Sequence, residues 1–313
     1  MDKISNISVN FAGAQLSNPV TTASGTCGYA DELQDFMPVG DLGGFVTKSI
    51  SLKPRKGNPI PRLVETDAGM LNAIGLANMG VDRFLQEKIP ILEPLARNGL
   101  AVYVNIAGTT IDDYVAVTER LVDETALTGF ELNISCPNVK EGGISFGTDP
   151  CQVEAITKAV KAVTGRKTLI VKLSPSVTDI STTARAAVQG GADALSLVNT
   201  FTAMVIDIEK RRPILANRTG GLSGPAIKPI AVYLVNKVYN EVGKPSNIPI
   251  LGLGGIRTTS DALEFMIAGA TAISVGTASF IDPACCQKII LGLRDYCNRK
   301  NISDITSLVG SLS

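Results

Sequence analysis

The amino-acid sequence predicts an α/β fold, a (βα)8 TIM barrel, and three observations carry that prediction. Eight apolar runs rich in β-branched residues recur along the 313 residues, with helical patterns between them. The runs are apolar almost throughout, which is typical of parallel strands that are covered on both faces. Eight such alternations within this length fit the barrel. The runs are Val20–Ser24, Gly44–Ser49, Ala101–Ile106, Phe130–Ser135, Leu169–Leu173, Ala194–Asn199, Pro249–Leu253 and Ala272–Gly276.

The other elements follow in chain order. A short β-hairpin is expected around residues 4–18, before the first barrel strand. Apolar residues at helical spacing predict helices at Asp112–Leu127, Val153–Val163, Ile180–Gln189 and Pro229–Val242. Gly165 and Gly190 follow two of them closely, as glycine often does at a helix end.

An open, doubly wound sheet is the competing topology. The first strand-to-helix turn reads ASGTCG, which lacks the G-x-G-x-x-G pattern of dinucleotide-binding sheets. No linker, repeat or low-complexity segment divides the chain. We therefore expect a single domain over residues 1–313.

Three strand-to-helix connections are long: residues 50–80, 136–150 and 200–228. All follow carboxyl ends of strands, so they are expected over the C-terminal face, where barrels build active sites. The connection 136–150 carries three glycines and suits either a lid or a mobile surface loop.

Composition excludes several classes of function. Lys plus Arg equals Asp plus Glu at 29 each, which gives no electrostatic case for a nucleic-acid or membrane partner. The N-terminus lacks the apolar run of a signal peptide, so we expect a soluble, cytoplasmic protein. Six cysteines without a CxxC pair, in a chain without histidine, predict that this chain holds no metal.

Cys136 is the first candidate catalytic residue. It ends an apolar strand, is followed at once by Pro137, and has neutral polar neighbours in Asn133, Ser135 and Asn138. Without histidine, proton chemistry falls to cysteine, lysine, tyrosine or a carboxylate. A second thiol, Cys27, lies near the first strand and could compete, although free cysteines mostly serve as packing residues.

Glycines at the ends of the last two strands predict a phosphate site. Gly254 and Gly255 stand in LGLGGI, and Gly276 and Thr277 stand in SVGTA. Barrels commonly bind phosphate with backbone N–H groups after strands seven and eight, where a Cβ would hold the phosphate away. These glycines could instead only shape tight turns. A phosphate site also does not distinguish a phosphorylated substrate from FMN.

Two lysines end apolar strands, Lys48 in FVTKS and Lys172 in IVKLSP. Each could support a flavin that becomes anionic on reduction, form a Schiff base, or extend its ammonium group to the surface. Five amides are predicted on the same face and would suit a planar ligand with alternating carbonyl and N–H groups. They are Asn72, Asn105, Asn133, Asn138 and Asn199.

Ten segments, in order along essentially the whole chain, together resemble class 1 dihydroorotate dehydrogenases. They are NPVTTASGT, VTKSI, GNPIPRL, NAIGLAN, ELNISCPN, VKLSP, VNT, GGLSGPAIKP, GLGGI and SVGTASF. Cysteine rather than serine at position 136 favours class 1 over the membrane-associated class 2. The segment NVKEGGISFGTDP is similar to the NAD-linked class 1B catalytic subunit.

The resemblance implies FMN-dependent oxidation of (S)-dihydroorotate to orotate in pyrimidine synthesis. Cys136 would take the C5 proton while hydride leaves C6 for flavin N5, and Lys48 would lie by flavin and substrate. The substrate would be held by Asn72, Asn133, Asn138, Asn199 and Thr200. The FMN site would comprise Ala23, Ser24, Gly25, Lys48, Ser49, Asn105, Asn133, Lys172, Gly224, Gly254, Gly255, Gly276 and Thr277, with Lys172 at the N1–O2 edge.

The resemblance also implies partners. In the class 1B subtype a second subunit carries FAD and a [2Fe–2S] cluster and passes electrons to NAD+, which predicts a homodimer of this chain within a heterotetramer. The fumarate-using homodimeric class 1A enzyme is the alternative within the family. Two functions from other classes remain: a barrel aldolase or lyase with a Schiff base on Lys172, and a non-catalytic phosphate-binding subunit.

Overall fold

The computed structural model describes residues 5–134 and 146–313. Eight parallel strands form a closed barrel in which each strand pairs with the next and the last pairs with the first. In chain order they are β1 (Val20–Thr22), β2 (Gly44–Val46), β3 (Ala101–Ile106), β4 (Gly129–Asn133), β5 (Thr168–Lys172), β6 (Ala194–Leu197), β7 (Ile250–Leu253) and β8 (Ala272–Val275). The predicted (βα)8 barrel is confirmed, and the open sheet is wrong.

Every residue of these eight strands is buried. Helices cover the outer face and side chains fill the interior, which explains the absence of polar alternation in the sequence. Six of the eight predicted runs extend further at their carboxyl ends than the strands do; for example, Gly44–Ser49 was expected, and the strand is Gly44–Val46. The last residues of such runs leave the hydrogen-bonded ladder and enter the loops at the barrel mouth.

The predicted N-terminal hairpin is present, with strands Val9–Phe11 and Ala14–Leu16. Ala12 and Gly13 form its turn with positive φ angles. Phe11 places its ring edge-on to Tyr103 of β3, with 6.3 Å between centroids. Thr168, which begins β5, donates a hydrogen bond to the Ala12 carbonyl. The hairpin therefore packs where the barrel strands begin, at the end opposite the predicted site.

The α-helices are Asp31–Gln34, Val81–Glu87, Ile89–Arg97, Ile111–Leu121, Pro150–Lys161, Ile180–Gln189, Lys228–Val238, Lys244–Ser246, Thr259–Ala268, Ala278–Ile281 and Cys285–Arg299. Short 3-10 helices occur at Val39–Asp41, Phe146–Thr148, Pro225–Ile227 and Ile305–Leu308, and a π-helical turn at Tyr239–Gly243. Two helices begin with reciprocal capping boxes, Thr110 with Asp113 and Thr258 with Asp261. No helix in the described ranges is long and apolar enough to cross a membrane.

One predicted helix, Asp112–Leu127, ends six residues earlier than expected, at Leu121. Ala126 and Leu127 are buried and continue the apolar spacing, but they lie in a turn. Lys167 donates hydrogen bonds from its Nζ to the carbonyls of Glu124 and Leu127, at 2.8 and 2.6 Å. The Lys167 side chain thus supplies hydrogen bonds to carbonyl groups of this turn. The sequence of the turn itself does not indicate this interaction.

Two of the long connections are not simple loops. Each contributes two strands to a four-stranded antiparallel sheet, ordered Phe201–Ala203, Gly220–Ser223, Gly69–Asn72, Leu63–Thr66. A separate pair joins Ile206–Asp207 and Arg212–Pro213. The four-stranded sheet brings together segments about 150 residues apart in sequence, and we call it the roof sheet because it joins the connections that follow β2 and β6.

Candidate active site

Asn133, Asn199 and Lys172 meet at the carboxyl ends of adjacent barrel strands. Asn133 ends β4 and lies opposite Lys172, which ends β5. The Asn199 side chain follows β6 and donates from Nδ2 to Asn133 Oδ1 at 3.3 Å. The Asn199 Oδ1 accepts a hydrogen bond from the Thr200 backbone at 2.9 Å. Lys172 is only 5% exposed, and its neighbour in the ladder, Asn133, begins this group of neutral donors and acceptors.

The roof sheet adds Asn72 to this group. Asn72 pairs with Gly221 across the sheet and donates from Nδ2 to its carbonyl at 3.4 Å. A Cβ on Gly221 would come within 2.0 Å of Thr200 Oγ1, so Thr200 packs directly on that glycine. Each of these residues thus contacts the next, in the sequence Asn72, Gly221, Thr200, Asn199, Asn133. Four of the five residues predicted to bind substrate are therefore neighbours.

A second polar group lies inside the barrel. Ser49 Oγ donates to Asn105 Oδ1 at 2.5 Å, and Asn105 Nδ2 donates to Glu131 Oε2 at 2.6 Å. The Lys172 ammonium lies 3.6 Å from the same carboxylate oxygen. Ser49, Asn105 and Lys172 were predicted from the sequence. The Glu131 carboxylate on β4 contacts both Asn105 and Lys172.

The residues predicted to bind phosphate fall into two groups with different contacts. Thr277 donates from Oγ1 to Ser223 Oγ at 2.8 Å, and a Cβ on Gly255 would lie 2.8 Å from the Gly224 carbonyl oxygen. Both contacts join a loop after β7 or β8 to the end of the roof sheet. Gly254 differs, because a Cβ there would meet Ala231 of helix Lys228–Val238 at 2.8 Å. Gly254 therefore has a packing reason to be glycine.

The loop after β1 approaches the loop after β8. The Ala23 N–H donates to the Val275 carbonyl at 2.8 Å, and a Cβ on Gly276 would lie 3.3 Å from Ala23 Cβ. Ser24 and Gly25 continue that loop, and a Cβ on Gly25 would meet nothing within 4 Å. Gly25 and Lys48 both line a cavity of about 330 Å³. The open space beside Gly25 thus lies next to the second predicted lysine.

The predictions for Cys136 and Asn138 fall outside the described residues. Their flanks are described, and one side chain touches both. Tyr114 donates from its hydroxyl to the Asn133 carbonyl at 2.8 Å, and its ring lies edge-on to Phe146 with 6.4 Å between centroids. Tyr114 therefore ties residue 133 to residue 146, the two sides of the segment that carries Cys136.

Sequence reasoning missed Glu131, Ser196, Ser223 and Tyr114. One signal was available for Glu131: it is an acidic residue inside an otherwise apolar, fully buried strand. Such a carboxylate is almost never buried without a partner. Ser196, Ser223 and Tyr114 carry no comparable signal, since serine and tyrosine are ordinary in strands and helices. Lys172 does not extend to the surface, so that alternative is wrong for this lysine.

The described thiols differ sharply in access. Cys151 is exposed, whereas Cys27, Cys285, Cys286 and Cys297 are buried. Burial raises the pKa of the Cys27 thiol. A hydrogen bond with Cys286 lowers the pKa of Cys285 to about 7. Cys27 therefore has the properties of a packing residue, and Cys285 is limited by access rather than by ionisation.

We expect iodoacetamide at mildly alkaline pH to label Cys151 first among these five thiols. The four buried thiols should be labelled much more slowly until the protein is unfolded in urea, because burial limits the access of the reagent. Peptide mapping by mass spectrometry scores each thiol separately. Labelling of Cys27 as fast as that of Cys151 would contradict its assignment as a packing residue.

Residues 6–296 match the family model described as dihydroorotate dehydrogenase. The chain belongs to the dihydroorotate dehydrogenase family. It is 51% identical over 307 residues to a protein of Geotalea uraniireducens named dihydroorotate dehydrogenase B (NAD(+)), catalytic subunit, with 98% of each chain covered. A protein of the same name from Trichlorobacter lovleyi is 52% identical over 306 residues, again with 98% of each covered. One from Alkaliphilus oremlandii is 51% identical, covering 98% of this chain and 99% of the relative.

The resemblance found in the sequence motifs is confirmed, with the NAD-linked type as the type of these relatives. Members of the dihydroorotate dehydrogenase family are oxidoreductases, so this chain is an enzyme of that class. The aldolase or lyase alternative on Lys172 is therefore wrong, and so is the non-catalytic subunit.

Proposed function

We propose that this chain oxidises (S)-dihydroorotate to orotate in pyrimidine synthesis with one FMN, and passes the electrons through a partner subunit to NAD+. The observation that supports it most is the cluster of amides around Lys172 at the barrel mouth. Asn133 and Asn199 are joined by a hydrogen bond there, and Thr200 follows. Amide groups of this kind match the alternating carbonyl and N–H groups of a dihydropyrimidine ring.

The described residues fit FMN. The contacts that join Thr277 to Ser223 and Gly255 to Gly224 bring two strand-end loops together with the end of the roof sheet. Backbone N–H groups of such loops would suit a phosphate. Gly25 borders open space, and Lys172 and Asn105 supply donors from inside the barrel. When bound, FMN accepts hydride at N5. The residues proposed to hold it are Ala23, Ser24, Gly25, Lys48, Ser49, Asn105, Asn133, Lys172, Gly224, Gly254, Gly255, Gly276 and Thr277.

The substrate is proposed to lie against Asn72, Asn133, Asn138, Asn199 and Thr200. The roof sheet carries Asn72, and the barrel carries Asn133 and Asn199, so the ring would be held from two sides. Cys136 takes the proton from C5, and Lys48 lies beside flavin and substrate. In this proposal the base acts from the side opposite the hydride acceptor, so that the substrate ring lies between the two groups. No histidine can compete with Cys136 as the base, because the chain contains no histidine.

The partner belongs to the proposal as well. The relatives are named as catalytic subunits of an NAD(+)-dependent enzyme, and such a name implies a separate electron-transfer subunit. We propose that this subunit carries FAD and a [2Fe–2S] cluster and that two copies of each chain form a heterotetramer. The single FMN-binding domain over residues 1–313 and the cytoplasmic location stay predictions.

Anaerobic addition of dihydroorotate to the purified chain tests the function. We expect a yellow protein whose flavin absorbance bleaches with substrate, and which reduces NAD+ only when the partner subunit is added. A chain that binds no FMN, or whose flavin does not bleach, contradicts the proposal. Reduction of NAD+ by the isolated chain would overturn the two-subunit arrangement. Fumarate serving as acceptor would assign the homodimeric type instead.

A further inference from the structure

Asp261 is a carboxylate close to the proposed phosphate site that the proposed chemistry does not use. It is 9% exposed and lies in the first turn of helix Thr259–Ala268, which follows β7. Its Oδ2 accepts hydrogen bonds from the backbone N–H groups of Arg257 and Thr258, at 3.0 and 2.9 Å. The Thr258 hydroxyl donates to the same oxygen at 2.9 Å. One carboxylate oxygen therefore holds residues 257–258, which end the loop after β7.

The other oxygen of Asp261 holds a different segment of the chain. Oδ1 lies 2.7 Å from the ammonium nitrogen Nζ of Lys228, the first residue of helix Lys228–Val238. Hydrogen bonds to Asp261 and Glu264 raise the pKa of Lys228. Burial acts to raise the pKa of Asp261, but hydrogen bonds from Lys228 and from the loop lower it overall. The lysine and the aspartate are therefore both charged at neutral pH.

Lys228 also packs against the loop after β7. A Cβ on Gly255 would lie 2.8 Å from Lys228 Cβ and 2.8 Å from the Gly224 carbonyl oxygen. Gly224 precedes Lys228 by four residues, with the 3-10 helix Pro225–Ile227 between them. The two segments of the proposed phosphate site are thus the Gly255 loop and the Gly224 segment. The ion pair between Lys228 and Asp261 joins the elements that carry them.

This ion pair depends on both oxygens of Asp261. We propose that Asp261 and Lys228 are positioning residues, which set the spacing between the two segments so that both bind the FMN phosphate. The inference rests on the proposed function, in which the phosphate lies between those segments. A carboxylate offers one acceptor oxygen to the loop and one to the lysine. An asparagine has a single acceptor oxygen, so it can serve only one of them.

Asp261→Asn separates positioning from charge. It removes a negative charge close to the proposed site, which by electrostatics alone would strengthen the binding of an anionic phosphate. Positioning predicts the opposite: FMN affinity should fall about tenfold, within the range lost when a residue that orients ligand-binding groups is removed. Riboflavin has no phosphate, so its affinity should stay within about twofold of native. Fluorescence titration of the full-length apoprotein with each flavin gives both dissociation constants.

Glu264→Gln is the matched control. Its carboxylate also lies 2.7 Å from Lys228 Nζ, but the side chain is 48% exposed and accepts no hydrogen bond from the described residues 254–258. This variant should keep native FMN affinity within about twofold. Lys228→Met breaks the pair from the other helix and should lower FMN affinity while sparing riboflavin. The double variant with Asp261→Asn should lose no more than either single one, because both break the same link.

Native or higher FMN affinity in Asp261→Asn overturns the proposal. An equal loss for FMN and riboflavin also overturns it, since a general loss of stability would lower both. The same holds for a loss in Glu264→Gln as large as that in Asp261→Asn. If Asp261→Asn does not fold, the ratio of FMN to riboflavin affinity in Lys228→Met decides by the same criteria. A native chain that binds no FMN is a different result, and it counts against the proposed function itself.

Discussion

Cys136→Ser is expected to retain FMN and lose about 10²- to 10⁴-fold in turnover at pH 7, the range that a positioned general base contributes. A hydroxyl is a far poorer base than a thiolate at that pH. Because only the thiolate can act as the base, native turnover should rise with pH until the thiol is ionised. The variant should lack that rise. Stopped-flow bleaching by dihydroorotate, with and without deuterium at C5, measures the step.

Cys151→Ser is the matched control, because Cys151 is an exposed thiol at the start of helix Pro150–Lys161. It should bleach at the native rate. Turnover of Cys136→Ser within about twofold of native at neutral pH would show that another group takes the proton.

Gly255→Ala is expected to lower FMN affinity by about ten- to hundredfold, or about 1.4–2.8 kcal/mol, because the added methyl group displaces the loop that would hold the phosphate. Gly255 has a φ of +81°, and a Cβ there would lie 2.8 Å from the Gly224 carbonyl oxygen. The methyl group would push apart the two loops that form the proposed phosphate site. Titration of the apoprotein with FMN, followed by flavin fluorescence quenching, gives the dissociation constant.

Gly99→Ala separates that effect from strain alone. Gly99 has a φ of +98°, but a Cβ there would meet nothing within 4 Å, and the residue lies just before β3, at the other end of the barrel. Its variant should lose stability and keep native FMN affinity. Equal FMN affinity in Gly255→Ala and the native protein would remove Gly255 from the site.

The barrel could be predicted because its signal is local. Each strand is buried along its whole length, so each appears in the sequence as an unbroken apolar run. Residues at the ends of those runs, such as Asn133, Lys172 and Asn199, could be placed on one face by the fold class alone. The hydrogen bond between the two amides agrees with that placement.

The roof sheet could not be predicted in the same way. Its strands are short, and Gly220–Ser223 contains two glycines, which are weak strand formers. Pairing between Asn72 and Gly221 depends on the barrel bringing two connections together, which no local pattern records. Glu131 was overlooked for a related reason: its partners come from neighbouring strands, and each looks ordinary in its own segment.

The roof sheet also constrains when, during folding, the protein can first bind its ligands. The Asn72 side chain bonds to the Gly221 carbonyl, 149 residues further along the chain. A ribosome must therefore have synthesised most of the polypeptide before Asn72 can reach its final position. Contacts of such large sequence separation form slowly, because a long loop has to close first. Ligand affinity should consequently be among the last properties to appear during refolding, after the secondary structure of the barrel.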